Sequence, residues 1–360
     1  MTYKNLEQRM ISTYLDTFPP FVPAKTDRVS KNSQEQFYLF MKSIYQSIYE
    51  DQQLLFTQLN EEDAYESYFN KSNDKKPDLI KLMKKDIKAM EDLLFCMFSI
   101  GLESEIDDNS LVINESFIIS KKHLSLFPRF GLSFNKGCLT HASFPDMFPA
   151  WKWMTTREGA SVFEFSRCMF DKDYSYASDI IAALTANQYA FHQMEESLIK
   201  SGYIRKVKYG NCISLGFTTN NSIVLDYVKK LGETDKEPGN FVYDHFYTGL
   251  SFEYSIIMKK KKYFGLRILH MKEILDKFDL MSDSLKSFIV THTKQCDMCG
   301  YCIFNKWDKR KPLSVAVSHN GKYKLCPIFP GYRYCFNEMD ESLSKNIMEF
   351  LLFMDKEILS

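Results

Sequence analysis

Apolar side chains recur at helical spacing near both ends of the chain. The longest such pattern follows Pro77, with apolar residues every three or four positions up to Gly101. Proline suits the first position of a helix and glycine often ends one, so this stretch is predicted to form one long helix. Similar spacing predicts a helix after the capping-box sequence 33–36 and another over 340–359.

Alternating apolar and polar residues predict short antiparallel hairpins between these helices. One hairpin is expected to pair 203–208 with 212–217 around Gly210-Asn211, and a second to pair 313–318 with 322–326 around Asn320-Gly321. Helices are expected on both sides of the first hairpin, over 178–201 and over 221–232. Because strands and helices do not alternate regularly, the predicted fold class is α+β.

The polar segment Gly232–Asn240 contains glycine and proline and is the best candidate for a linker. It predicts two domains. The first, 1–232, is expected to be an α+β domain with a helical N-terminal part. The second, 240–360, is expected to carry a cysteine-rich metal-binding segment at 296–335.

Composition places the chain among ordinary globular proteins. Its 360 residues include 46 basic and 46 acidic side chains, so the formal net charge is zero. A non-specific nucleic-acid binder is usually basic, which makes nucleic acid a less favoured partner than protein. The N-terminus lacks a signal-peptide pattern, and no apolar stretch approaches the roughly 20 residues that span a bilayer. We therefore expect a cytoplasmic protein with no membrane partner.

Five of the nine cysteines fall close together near the C-terminus. Cys296, Cys299 and Cys302 form a C-x2-C-x2-C run, Cys326 precedes Pro327, and Cys335 follows. Thiols at two-residue spacing can converge on one metal ion, and cytoplasmic cysteines favour metal or redox chemistry over structural disulfides. The predicted ligands are Cys296, Cys299, Cys302 and Cys326, with Cys335 outside the site.

Two resemblances suggest different metals. The knuckle followed by a hairpin resembles zinc ribbons, which implies a structural Zn²⁺ bound by four thiolates. A second C-x2-C pair is missing, so one C-x2-C pair with Cys326 and Cys335 is an alternative ligand set. The C-x2-C-x2-C run with a distant Cys-Pro also resembles bacterial ferredoxins, which implies an iron–sulfur cluster.

Function is therefore open among three classes. No hydrolase, zinc-protease, nucleotide-binding or dinucleotide-binding motif occurs in the chain, which favours a non-enzymatic binding or regulatory module with structural zinc. The iron–sulfur alternative implies an enzyme or a redox protein. A third alternative is a winged-helix-like DNA-binding regulator, in which Arg205, Lys206 and Lys208 of the first hairpin contact phosphates.

Overall fold

The computed structural model describes residues 4–57, 59, 77–183, 185, 187–209, 223–230, 247–254, 263–267, 271–297, 313–327, 333–336 and 339–358. Within them, helices combine with β-sheets in which every strand pairing is antiparallel, so the predicted α+β class is confirmed. The described residues form two compact units, one up to Ala183 and one from Thr185 onward.

The first unit combines helices with one small sheet. Its helices are α1 Leu6–Asp16, α2 Lys31–Glu50, α3 Pro77–Leu102, α4 Lys121–Leu126, α5 Phe148–Thr156, α6 Val162–Ser166 and α7 Tyr176–Ala183. Its strands are β1 Ser104–Asp107, β2 Ser110–Ile113, β3 Leu132–Asn135 and β4 Cys138–His141, in the order β1-β2-β4-β3. The long helix predicted after Pro77 is confirmed as α3 and begins at that proline.

Trp151 of α5 lies at the centre of the first unit's core. Its indole Nε1 donates a hydrogen bond to the Met97 carbonyl of α3 at 2.9 Å, and its ring stacks on Phe40 of α2 with centroids 5.5 Å apart. A Cβ atom added at Gly101 would lie 2.7 Å from this ring and from Thr155. Gly101 therefore permits α3 and α5 to approach closely, and the helix continues through it to Leu102.

The second unit is built on a five-stranded antiparallel sheet. Its strands, in spatial order, are β11 Arg333–Phe336, β8 Tyr263–Arg267, β7 Tyr247–Tyr254, β6 Ile223–Lys230 and β5 Ile204–Tyr209. A separate hairpin consists of β9 Val315–Ser318 and β10 Lys322–Leu325. The helices are α8 Gln188–Lys200, α9 Met271–Asp276, α10 Asp283–His292 and α11 Glu341–Glu357.

Side-chain caps and cross-links hold the second unit's helices in place. Ser282 accepts a hydrogen bond from the Leu285 amide at the start of α10, and Asp340 accepts one from the Leu343 amide at the start of α11. The helix predicted over 340–359 is confirmed as α11. Lys229 of β6 reaches Asp355 of α11 at 2.8 Å, which ties the C-terminal helix to the sheet.

Two helix predictions around the first hairpin are wrong. The segment expected to be helical over 221–232 contains strand β6, because its β-branched and aromatic residues pair with β5 on one side and β7 on the other. Strand β5 therefore pairs with 223–228, while the expected partner 212–217 lies outside the described residues. The helix expected over 178–201 is two helices, the second of which starts where Asn187 caps the Ala190 amide.

The units also divide the chain at a different place from the predicted linker. Strands β6 and β7 pair directly from Ile223↔Tyr254 to Lys230↔Tyr247, so the residues between them connect two neighbours in one sheet. The boundary between the two units instead follows Ala183, between α7 and α8. Among the described residues, no helix has the length and apolar character needed to cross a bilayer.

Candidate metal centre

Cys296 and Cys326 lie beside each other across a short antiparallel pairing. The Cys296 amide donates a hydrogen bond to the Lys324 carbonyl at 2.7 Å, and the Cys326 amide donates one to the Lys294 carbonyl at 2.9 Å. Between these bonds, Gln295 and Leu325 face each other as an antiparallel bridge. Two segments distant in sequence thus meet at the two cysteines.

The register places both thiols on one face of this pairing. Side chains alternate along a strand, so Cys296 and Cys326 share the face opposite to that of Gln295 and Leu325. They are diagonal neighbours, a relation that separates Cα atoms by roughly 7–8 Å. Two sulfurs bound to one zinc ion are about 3.8 Å apart, since each Zn–S bond is ~2.3 Å, so a shared ion fits side chains at this spacing. Both residues are partly exposed.

The elements around the pairing fix its position within the second unit. On one side, Thr293 ends α10 and its hydroxyl hydrogen-bonds with the Tyr334 hydroxyl of β11. On the other side, Leu325 is fully buried and also pairs with Val315 of β9. Each cysteine therefore follows directly on an anchored segment, which limits the freedom of its backbone.

The structure brings together two of the four predicted ligands. Cys299 and Cys302 lie outside the described residues. Over the part of the chain that is described, no three residues with metal-binding side chains come together. The four-thiolate set therefore stays a prediction, of which the structure describes Cys296 and Cys326.

Cys335 belongs to a different sheet from the cysteine pair. It occupies the middle of β11, where it pairs with Gly265 of β8 in the five-stranded sheet. Its backbone pairs within that sheet, whereas Cys326 follows β10 of the separate hairpin. The four-thiolate set and the alternative set that includes Cys335 both stay predictions.

Two histidines near the cluster are engaged elsewhere. The His292 ring packs against Phe288, Tyr334 and Phe336 at centroid distances of 4.8–6.0 Å, and burial lowers the pKa of its imidazole. His319 hydrogen-bonds through Nε2 to Ser287 at 2.8 Å. His292 is thus packed among aromatic rings, and His319 joins the hairpin to helix α10.

The basic residues predicted to contact DNA pair with acidic residues of the protein, which differs from the free basic side chains expected on a DNA-binding wing. Arg205 of β5 pairs with Glu195 of α8 at 3.0 Å, and the Tyr227 hydroxyl of β6 donates to the same carboxylate at 2.7 Å. The Glu195 side chain is only 9% exposed, so Arg205 neutralises a carboxylate within the protein. Lys206 stands opposite Asp226 in the register, and the Lys208 side chain is outside the described residues.

Two lysines that the sequence pattern did not indicate lie beside the cysteines. Lys324 stands directly opposite Cys296, and Lys294 directly opposite Cys326. Lys294 is two positions before Cys296, and Lys324 two positions before Cys326, but sequence alone does not give the register that crosses them. The only available signal is a lysine two residues before a cysteine in both segments.

The described arrangement offers thiol sulfurs on a fixed backbone, flanked by ammonium groups. Sulfur donors select soft or borderline metal ions such as Zn²⁺ or the iron of clusters over Mg²⁺ and Ca²⁺. Comparisons of the chain with models of protein families, with curated protein sequences and with solved structures found no match.

Proposed function

We propose that this chain is a non-enzymatic binding or regulatory protein whose second unit is cross-linked by a structural Zn²⁺ ion. The ligands are Cys296, Cys299, Cys302 and Cys326. The observation that supports it is the antiparallel pairing that sets Cys296 and Cys326 on one face. A reducing compartment such as the cytoplasm suits the protein, because clustered thiols stay reduced there.

A metal ion compensates for the limited core around the pairing. The separate hairpin has only two strands of four residues each, and an isolated two-stranded hairpin is marginally stable in water. Zinc binding supplies folding free energy to such small elements. This role needs no open coordination position and no reacting substrate, which fits a structural site with four protein ligands.

Metal and sulfide analysis of the purified protein tests the proposal. The chain is purified without oxygen, and zinc, iron and acid-labile sulfide are measured per chain, together with the visible spectrum. The expected result is a colourless protein with about one zinc ion and negligible iron. The Cys138→Ser variant serves as a control, because Cys138 is a partly exposed cysteine in β4 of the first unit.

Two other results would overturn the zinc assignment. Brown protein with stoichiometric iron and sulfide would establish the ferredoxin-like alternative. The second result is that the purified protein carries no metal and takes up none when it is supplied with Zn²⁺ under reducing conditions. That result would show that the cysteines are reduced thiols that bind no metal.

A further inference from the structure

The connection between α1 and α2 contains the sequence FPPFVPAK at 18–25, here called the proline segment. Proline fixes its own φ at about −65° and keeps the residue before it out of the helical region. The prolines of this segment therefore hold its backbone near the polyproline II conformation, which has three residues per turn and no internal hydrogen bonds. The structure agrees, since 18–25 contains neither helix nor strand.

One edge of the proline segment is attached to the core of the first unit. With three residues per turn, Phe18, Phe21 and Ala24 share this edge. The Phe18 ring packs against the ring of Tyr38 in α2 with centroids 5.2 Å apart, and the Phe21 ring packs against the same tyrosine at 5.4 Å. The Ala24 amide donates a hydrogen bond to the Gln34 side-chain oxygen at 2.8 Å. Contacts along this edge thus recur at every third residue, as the polyproline II repeat requires.

Two tyrosine hydroxyls fix the backbone of the proline segment. Tyr38 donates a hydrogen bond to the Pro19 carbonyl at 2.9 Å, and Tyr176 of α7 donates one to the Val22 carbonyl at 3.1 Å. The segment is therefore ordered before any partner arrives. A disordered proline-rich ligand loses conformational entropy when it binds, and this prior order removes much of that cost.

A second edge of the proline segment is accessible to solvent. Pro20 and Pro23 share this edge, because they are three positions apart. Pro20 is exposed, Pro23 is partly exposed, and the exposed Lys25 follows two positions later. The segment thus presents a P-x-x-P motif with a cation near its end. Motifs of this kind dock in protein grooves lined with aromatic side chains.

We propose that the proline segment is a docking site for a protein module whose groove is lined with aromatic side chains and has acidic residues at one end. The aromatic rings pack on Pro20 and Pro23, and the acidic residues pair with Lys25. The inference goes beyond the proposed zinc site, because the segment belongs to the first unit and its docking needs no metal.

Binding of the full-length chain to a panel of purified SH3 domains, which have aromatic-lined grooves, tests the inference. The Kd is measured by isothermal titration calorimetry, with a synthetic peptide of residues 17–27 in parallel. At least one domain should bind the full-length chain at least as tightly as the peptide, because the folded chain already orders the segment. Pro20→Ala, Pro23→Ala and Lys25→Glu should each weaken binding about fivefold or more, and only the Lys25→Glu loss should shrink in high salt.

Two matched variants and one hydrogen-bond variant complete the set. Pro128→Ala changes an exposed proline in the short helix Phe127–Phe130, and Lys88→Glu reverses the charge of an exposed lysine of α3. Both should bind like wild type. Tyr38→Phe removes the hydrogen bond to the Pro19 carbonyl but keeps the ring, so it should leave the affinity unchanged or lower it. Because Pro20 and Lys25 are exposed, their replacement should shift the melting temperature by no more than a few degrees.

Several results would overturn the inference. One is that no domain of the panel binds the full-length chain, whether or not the peptide binds. Another is that Pro20→Ala binds like wild type, or that Lys25→Glu loses no more affinity than Lys88→Glu. Tighter binding by Tyr38→Phe would show that the segment must leave its place on α2 before it binds, which would also overturn a preformed docking site. None of these results depends on metal content, so the zinc proposal is tested separately.

Discussion

Two carboxyl groups meet between helices α1 and α3 of the first unit. Glu7 is almost fully buried, and Asp86 is partly buried. Burial, followed by the charge of Glu7 and a hydrogen bond with it, raises the pKa of Asp86 to about 7. The sequence predicted the apolar face of α3 but not this pair, because the register between two helices distant in sequence is a tertiary property.

The raised pKa makes the contribution of Asp86 to stability depend on pH. An aspartate has a pKa of about 3.9 in the unfolded chain, so the stabilisation is fully present below pH ~4 and is lost as pH rises through ~7. Asp86→Asn stays neutral at all these pH values. We expect it to be more stable than wild type at pH 8, by about 1 kcal/mol given the solvent screening of a partly exposed group.

Urea unfolding of the first unit at pH 5 and pH 8 checks this expectation. The Asp86→Asn advantage should shrink towards pH 5, where the wild-type carboxyl is protonated. Asp92→Asn is the control, because Asp92 is exposed on the same helix. A variant less stable than wild type at pH 8, or an advantage that is the same at both pH values, would contradict the account.

Helices with local start signals were predictable, and the strands of the large sheet were less so. Pro77 is the first residue of α3, and Asp340 caps the Leu343 amide at the start of α11, so both starts depend on residues of their own segments. Strand β6 instead acquires its conformation from neighbours on both sides, and these neighbours are not visible in its own sequence. The helix predicted over 221–232 was wrong for that reason.

The contact between α8 and the β5–β6 pair gives Arg205 a structural role. We expect Arg205→Ala to destabilise the second unit by about 1–3 kcal/mol, because it leaves the buried Glu195 carboxylate with one charged partner fewer. Thermal unfolding monitored in the second unit measures this. Lys200→Ala is the control: its pair with Glu196 is exposed, so its removal should change stability by less than about 0.5 kcal/mol.

DNA binding by the same variant distinguishes the winged-helix alternative. One outcome is that the wild-type chain is retained on DNA at low salt and that Arg205→Ala reduces this retention without lowering stability. That result would contradict a structural role for Arg205. It would favour the DNA-binding alternative.

The boundary between the two units depends on strand pairing that the sequence does not reveal. A polar segment containing Gly and Pro predicted a linker between β6 and β7, but these two strands are neighbours in one sheet. The cluster of four cysteines stays a prediction from local two-residue spacing, because Cys299 and Cys302 lie outside the described residues. The approach of Cys326 to Cys296, and of the lysines to both, depends on a register that only the folded chain provides.

Because the proposed zinc site lies within the second unit, metal removal should affect the two units differently. Treatment with a strong chelator should lower the melting temperature of the second unit by several degrees and leave that of the first unchanged. Hydrogen exchange of the Cys296 and Cys326 amides should speed up, since their bonds hold the pairing together. Differential scanning calorimetry and exchange mass spectrometry give both readouts, and re-added Zn²⁺ should reverse them. Equal destabilisation of the two units would contradict a local cross-link.

Zinc stoichiometry of single cysteine variants tests whether Cys296, Cys299, Cys302 and Cys326 bind the ion. Each of Cys296, Cys299, Cys302, Cys326 and Cys335 is changed to serine in the full-length chain, with Cys138→Ser as the control. We predict that loss of any of the first four cysteines releases the ion, whereas Cys335→Ser and Cys138→Ser retain about one zinc per chain. Loss of zinc from Cys335→Ser, with full retention in a variant of Cys296, Cys299 or Cys302, would contradict the assignment and establish the alternative ligand set.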